Sequence, residues 1–284
     1  MKIEVGEITI AMEQRGSGRP IVVIHSWSAD QRHMISDLEP IFERHPGWLR
    51  FYFDLPGHGG TPAAPWLGNQ QQMLEIVQSV AEQACGAESF AVIGSSYGGY
   101  LALGIARTIP ERLLGVALLL PDLPDDAGNR DVPRRTTIHA DTALFTDLAE
   151  DEQWIPSALV VHSTAALNKI RKDDMPAYRC CDREFLKRLD ANYLLSAAVR
   201  KGTRHFNLPS LIALGHQDAT VGFRRQMNLL DEFPRATLCV TDLVGHHFGR
   251  IEQPALFDAL ILEWLEQMEM GLEYLGVRGR GRTG

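Results

Sequence analysis

The chain has no paired-cysteine spacing. Its four cysteines, at positions 85, 180, 181 and 239, form no C-x-x-C, and Cys180 and Cys181 are adjacent. Neither a tetrahedral zinc site nor an ordinary disulfide can be built on that pattern, so four reduced thiols in a cytoplasmic protein are expected. H-x-x-x-H and H-E-x-x-H spacings are missing as well, and with them the expectation of a bound metal. Gly57 to Gly60 lacks the lysine and following hydroxyl of a phosphate loop, so no nucleotide cofactor is expected. Nowhere do about 18 apolar residues run together, as a membrane-spanning helix needs. The start, Met1-Lys2-Ile3-Glu4-Val5-Gly6, alternates apolar and polar residues without the apolar stretch of an export signal. Positive charge is also scarce. A net charge of −8 argues against a nucleic-acid or anionic-membrane face. The one basic stretch, Val277-Arg278-Gly279-Arg280-Gly281-Arg282, reads as part of a flexible, solvated tail.

What is present suits a globular enzyme-sized domain. At 284 residues, with 45% hydrophobic and 23% charged, the chain can bury a large core with room for an insertion. Residues 2 to 13 alternate like two short strands joined at Gly6-Glu7. Continuous apolar runs follow at 21–24, 51–53, 90–93 and 116–120, too apolar for strands with a wet face, and these read as buried parallel strands. Between the second and third of them, Met73, Val77, Val80 and Ala84 recur at helical spacing. Such alternation calls for right-handed crossovers and a doubly wound, mostly parallel α/β sheet. The rhythm breaks after Leu120 and resumes at Leu211-Ile212-Ala213-Leu214 and Thr237-Leu238-Cys239-Val240, then a closing helix using Phe257, Ile261 and Trp264. The expected organisation is a core from 1 to 121, a helical cap over 122–205, the rest of the core over 206–270, and the tail over 271–284. Phe145, Trp154, Tyr178 and Phe185 are expected in the interior of the cap, some facing the crevice.

The most chemically specific segment is Gly94-Ser95-Ser96-Tyr97-Gly98, a G-x-S-x-G sequence directly after the run Phe90 to Ile93 and before a helix-like stretch. A strand–turn–helix bend lifts the central hydroxyl clear of the backbone at a helix N-terminus, which makes Ser96 a candidate nucleophile. Ser95, before the apex, is expected to point away. In an open parallel sheet the loops leaving the carboxyl ends of strands converge on one crevice. The sequence offers His25-Ser26-Trp27, Asp54 to Gly60, Gly215-His216-Gln217-Asp218 and Gly245-His246-His247 at such places. A serine nucleophile needs a base in reach and a carboxylate to orient that base. Asp218 and His246 are the preferred partners, with Asp122, just past Leu120, the rival acid and His247 the rival base. His25 is expected to hold its loop by a hydrogen bond.

Taken in that order, these segments resemble the α/β-hydrolase fold superfamily, in its serine-nucleophile branch with a helical lid after the sixth strand. The likeness covers about residues 8 to 270. It implies an acyl-serine route with Ser96, His246 and Asp218 as catalytic triad, and the amides of Trp27 and Tyr97 as oxyanion hole. The stretch from Arg235 to His246 aligns without a gap to members of the superfamily, which favours His246. Two departures stand out: Ser26 where members commonly carry glycine, and an extra residue between His246 and Glu252. Serine at the elbow, in place of aspartate, excludes dehalogenase and epoxide hydrolase chemistry. The implied function is hydrolysis of small carboxylic esters or related acyl compounds without cofactor or metal, the only expected partner being a small-molecule acyl substrate. The alternatives are a C–C bond hydrolase or perhydrolase on the same residues, and a non-catalytic small-ligand receptor.

Overall fold

The computed structural model describes residues 1–202 and 205–274. Eight strands form one sheet: β1 (Lys2–Val5), β2 (Ile8–Gly16), β3 (Gly18–Ile24), β4 (Gly47–Phe53), β5 (Phe90–Ser95), β6 (Leu113–Leu119), β7 (Ser210–Gly215) and β8 (Ala236–Thr241), in the order β1-β2-β4-β3-β5-β6-β7-β8. β1 and β2 pair antiparallel and β2 runs antiparallel to β4; every later pairing is parallel. The long helices are α1 (Gln31–Phe42), α2 (Gln70–Cys85) and α3 (Tyr97–Thr108). Between β6 and β7 lie short helices α4 (Ile155–Ala158), α5 (Thr164–Lys169), α6 (Met175–Cys180), α7 (Arg183–Asp190) and α8 (Ala197–Arg200). α9 (Arg224–Met227) and α10 (Pro254–Tyr274) complete the chain. α10 continues past residue 271, where the sequence suggests the tail begins, and the basic stretch 277–282 lies outside the described residues.

The unbroken apolar runs are explained by a sheet covered on both faces. Successive side chains of a strand alternate sides. Val22 and Ile24 of β3 and Phe90 and Val92 of β5 pack with α2 and α3, whereas Ile21, Val23, Ala91 and Ile93 pack with α1 and α10. Within the second layer a charged pair is buried: Glu39 accepts from Arg50 at 3.0 and 2.5 Å and from the Tyr52 hydroxyl at 2.6 Å, so both carboxylate oxygens have partners.

The segment between β6 and β7 has its own small apolar cluster, Ile155, Leu159, Ala166, Leu167, Ile170 and Met175, closed from below by Ile251. Phe145, Trp154 and Tyr178 pack against it. Phe185 departs from expectation. It belongs to the main core, its ring so close to Gly57 that a Cβ there would lie 2.3 Å from Phe185 Cδ1. Residues 122–141 form no helix or strand. Polar links tie this segment to α1: Lys169 Nζ reaches Asp37 at 2.9 Å, Ser36 Oγ donates to Asp173 at 2.7 Å, and His33 reaches Asp174 at 2.5 Å.

Candidate active site

Ser96 sits between β5 and α3 with φ 52° and ψ −113°, a backbone conformation that costs a residue with a Cβ of order 1–3 kcal/mol and persists only where its surroundings enforce it. The enforcement is visible. The Ser96 amide donates to Leu119 O at 2.8 Å, and its carbonyl accepts from Tyr100 N at 3.0 Å and from Asp122 N at 3.1 Å, so the end of β6 clamps the bend. Gly94 and Gly98 are required by close approach: a Cβ on Gly94 would fall 2.1 Å from Gly98 O, and one on Gly98 would fall 2.3 Å from Ile24 O. Ser95 Oγ turns aside to Ser26 Oγ at 3.1 Å, in keeping with its place before the apex.

From β7 and β8 come the partners. Ser96 Oγ lies 2.8 Å from His246 Nε2, and His246 Nδ1 lies 2.8 Å from Asp218 Oδ2. With Nδ1–H given to a carboxylate, Nε2 of the neutral ring is an acceptor facing the serine hydroxyl. Asp218 Oδ1 accepts from the amides of Thr220 at 2.8 Å and Val221 at 2.9 Å. Burial pushes its carboxyl up, but the His246 charge and these bonds outweigh it and hold Asp218 below the usual carboxylate range. For His246, burial pulls the imidazole down and the facing Asp218 carboxylate more than restores it, with Asp122 and Glu252 adding to the rise; the net direction is upward.

The two rivals face the same cavity but are engaged with other partners. Asp122 accepts from Arg130 at 2.8, 3.1 and 2.5 Å and from the Tyr193 hydroxyl at 2.6 Å. His247 stacks on Trp154 with ring centroids 5.7 Å apart, and burial drives its imidazole down to about 4, so it stays neutral. His25 does brace its loop: Leu55 N donates to Nε2 at 2.9 Å, which leaves Nδ1 to donate to Ser26 O at 2.8 Å. Trp27 follows, its ring edge-on to Tyr97 at 4.8 Å. The Tyr97 amide occupies the first position of α3, where no carbonyl one turn back can accept from it. The Trp27 amide has no acceptor among the described residues.

These groups open onto a cavity of about 370 Å³. Trp27, Leu119, Leu120, Val221 and Ile251 line it with apolar side chains; Trp154 and Tyr178 reach it from the cap, and His247 from the loop after β8. Sequence reasoning passed over Arg130, Asp174, Tyr193 and Glu252, all near this site. The first three lie in the stretch without strand rhythm, where spacing carries no signal of what meets what. Among the described residues no group of three or more His, Cys, Asp or Glu is arranged to hold a metal. No described helix is long and apolar enough to cross a membrane.

Residues 19–249 match the alpha/beta hydrolase fold family. The chain belongs to that family. One curated relative, the dihydrolipoyllysine-residue acetyltransferase component of the acetoin cleaving system of Cupriavidus necator, is 31% identical over 127 residues. That match takes in 44% of this chain, which spans 33% of the relative's length. The 2-hydroxy-6-oxononadienedioate/2-hydroxy-6-oxononatrienedioate hydrolase of Paraburkholderia phymatum is 24% identical over 241 residues, covering 78% of this chain and 83% of that protein. Among solved structures, an alpha/beta superfamily hydrolase from Oenococcus oeni superposes with a TM-score of 0.84 at 24% identity, over 95% of this chain and 99% of its own. At that identity the likeness speaks for the fold.

Proposed function

We propose that this alpha/beta-hydrolase-fold protein is a serine hydrolase of small carboxylic esters or related acyl compounds. The observation that carries the reading is the unbroken relay from Ser96 Oγ through His246 to Asp218, with 2.8 Å at each step. Ser96 Oγ attacks the acyl carbon while its proton passes to His246 Nε2, and Asp218 stabilises the imidazolium. The amides of Trp27 and Tyr97 receive the oxyanion. One such donor is worth about 3–4 kcal/mol of barrier. The imidazolium then protonates the departing alkoxide, leaving acyl-Ser96. Water, deprotonated by His246, attacks the ester, and collapse returns the acid and the free hydroxyl. Four unpaired thiols fit a reducing, cytoplasmic setting.

A fluorophosphonate probe tests this. It is expected to label wild type at Ser96 and to leave Ser96→Ala unlabelled and inactive on short esters; labelling or turnover that persists in the variant rules the reading out. The relative from Paraburkholderia phymatum, matched over most of both chains, favours a second reading in which the same three residues hydrolyse a C–C bond. Turnover of a vinylogous diketone with no turnover across an ester panel would select it.

A further inference from the structure

Glu252 joins two parts of the molecule that no strand connects. Its Oε1 accepts the amide of Val160, in the cap segment, at 2.9 Å, and its Oε2 accepts the amide of Gly245, immediately before His246, at 2.7 Å. The side chain is nearly out of water, 9% exposed. A carboxylate in such a place is costly unless its oxygens are bonded, and here the bonds go to backbone amides of two segments far apart in the chain. Contact between those groups is close: a Cβ on Gly245 would lie 2.9 Å from Val160 Cγ2. Between Gly245 and Glu252 the chain kinks at Gly249, whose backbone is not helical (φ 17°, ψ −137°), and the returning carboxylate closes the histidine loop on itself and on the cap at once.

We propose that Glu252 is a positioning residue: its carboxylate clamps the backbone ahead of His246 to the cap at Val160, so that the placement of the imidazole against Ser96 depends on the cap being seated. The inference rests on the catalytic reading given above. It is distinct from that chemistry, since Glu252 touches neither Ser96 nor the reacting atoms. Two consequences follow from one group. Removing the carboxylate loosens the loop, and it removes a negative charge beside His246. The charged and titratable groups facing His246 are Asp218, Asp122, Glu252 and the neutral His247; those facing Glu252 are Asp218 and His246. Burial, with Asp218 adding to it, pushes the Glu252 carboxyl up against the pull of the two amides and of His246, to about 7 in all, so near neutral pH it carries part of a charge. Loss of that charge lowers the pKa of His246.

The experiment measures the rate at which a fluorophosphonate labels Ser96 across pH, together with an NMR titration of the His246 ring, in wild type, Glu252→Gln and Glu252→Asp. Gln keeps the size but presents an NH2 to one of the two amides. Asp keeps the charge but is too short to span both. Glu252→Gln is expected to label at least about tenfold more slowly, as a small misplacement of a catalytic group does, and its acid limb and His246 titration move to lower pH. Glu252→Asp is expected to label slowly with the limb unmoved. Labelling at the wild-type rate in either variant that melts as a folded protein overturns the clamp; an unchanged His246 titration in Glu252→Gln overturns the charge effect. If wild type itself never labels while the His246 titration still falls in Glu252→Gln, the hydrolase reading fails and the link from Glu252 to His246 stands.

Discussion

Asp218 grips His246 from a position with no solvent exposure: Oδ2 meets Nδ1 at 2.8 Å while Oδ1 is held by two successive amides of its own loop. The carboxylate cannot rotate away, so it dictates which ring nitrogen keeps the proton. Asp218→Asn retains the shape and the two amide bonds through its carbonyl oxygen, but its NH2 then faces Nδ1 and forces the proton onto Nε2, against the Ser96 hydroxyl. A turnover loss of about 10⁴-fold is expected, the size seen when a triad carboxylate becomes an amide. Steady-state kinetics alongside a thermal melt that stays near wild type would separate the wrong tautomer from misfolding.

The adjacent histidines are expected to differ sharply. His246 bonds both Ser96 and Asp218, whereas His247 stacks on Trp154 and, with its imidazole pushed down to about 4, stays uncharged at working pH. His246→Gln removes the base and is expected to cost at least about 10³-fold in turnover. His247→Gln removes only a cavity wall and is expected to change KM more than kcat. Equal losses in kcat for the two variants would contradict the assignment of the base.

Acidity provides a third check. The base must be neutral, and its pKa is raised above 6.5 by Asp218, so kcat/KM is expected to climb with pH along a limb whose midpoint lies above 6.5. The stability signs run oppositely for the two partners. The raised imidazole contributes stability that is complete below 6.5 and fades as pH rises through its folded value. The depressed carboxylate contributes stability present above 3.8 and lost as pH falls through its own folded value. The gap in melting temperature between wild type and His246→Gln is therefore expected to be widest between those limits.

Most of this site is legible in the sequence. Ser96 and Asp218 each follow a strand buried on both faces, which writes itself into sequence as the uninterrupted runs of β3, β5, β6 and β7, whereas His246 follows β8, an edge strand that is only half-buried. A polar group directly after such a run must lie at the sheet's carboxyl edge, so three distant residues share one crevice by topology. The choice of His246 over His247 was not settled by that argument, since neighbours in a loop leave a strand end by different backbone turns. Phe185 is the instructive failure. The sequence places it in the interior of the cap, but its ring covers Gly57 in the main core and not the cap's own cluster. Glu252 and the Asp122–Arg130–Tyr193 cluster were invisible for the same reason, because pairings across irregular backbone leave no period.

Core electrostatics away from the site give a further expectation. Glu39 and Arg50 are each 6% exposed and bond in fork fashion, with the Tyr52 hydroxyl as third member. Removing one partner strands the other's charge, so Arg50→Met is expected to cost about 3–5 kcal/mol, whereas Arg50→Met with Glu39→Leu recovers much of it. Urea melts of the single and double variants measure the difference; equal destabilisation in both would mean that the pair itself stabilises.

Two glycines of α3 test whether the elbow is a matter of space. Gly98 lies under the loop that follows β3, where an added Cβ would meet Ile24 O at 2.3 Å and His25 O at 2.6 Å, both backbone atoms fixed in or beside a central strand. Neither can retreat, so Gly98→Ala must displace the start of α3 and with it Ser96 and the Tyr97 amide. A loss of roughly 1–3 kcal/mol in stability is expected from such overpacking, with a larger proportional loss of activity, since misplacing catalytic groups by about 1 Å costs on the order of 100-fold. Gly104, two turns further along the same helix, would place its Cβ 3.0 Å from the methyl ends of Leu74, which can turn aside. Alanine there gains helix propensity worth up to about 1 kcal/mol, which offsets the crowding. Gly104→Ala is accordingly expected to melt near wild type and to label normally with a fluorophosphonate, while Gly98→Ala does neither. If both variants label alike, contact at the elbow is not what holds the serine in place.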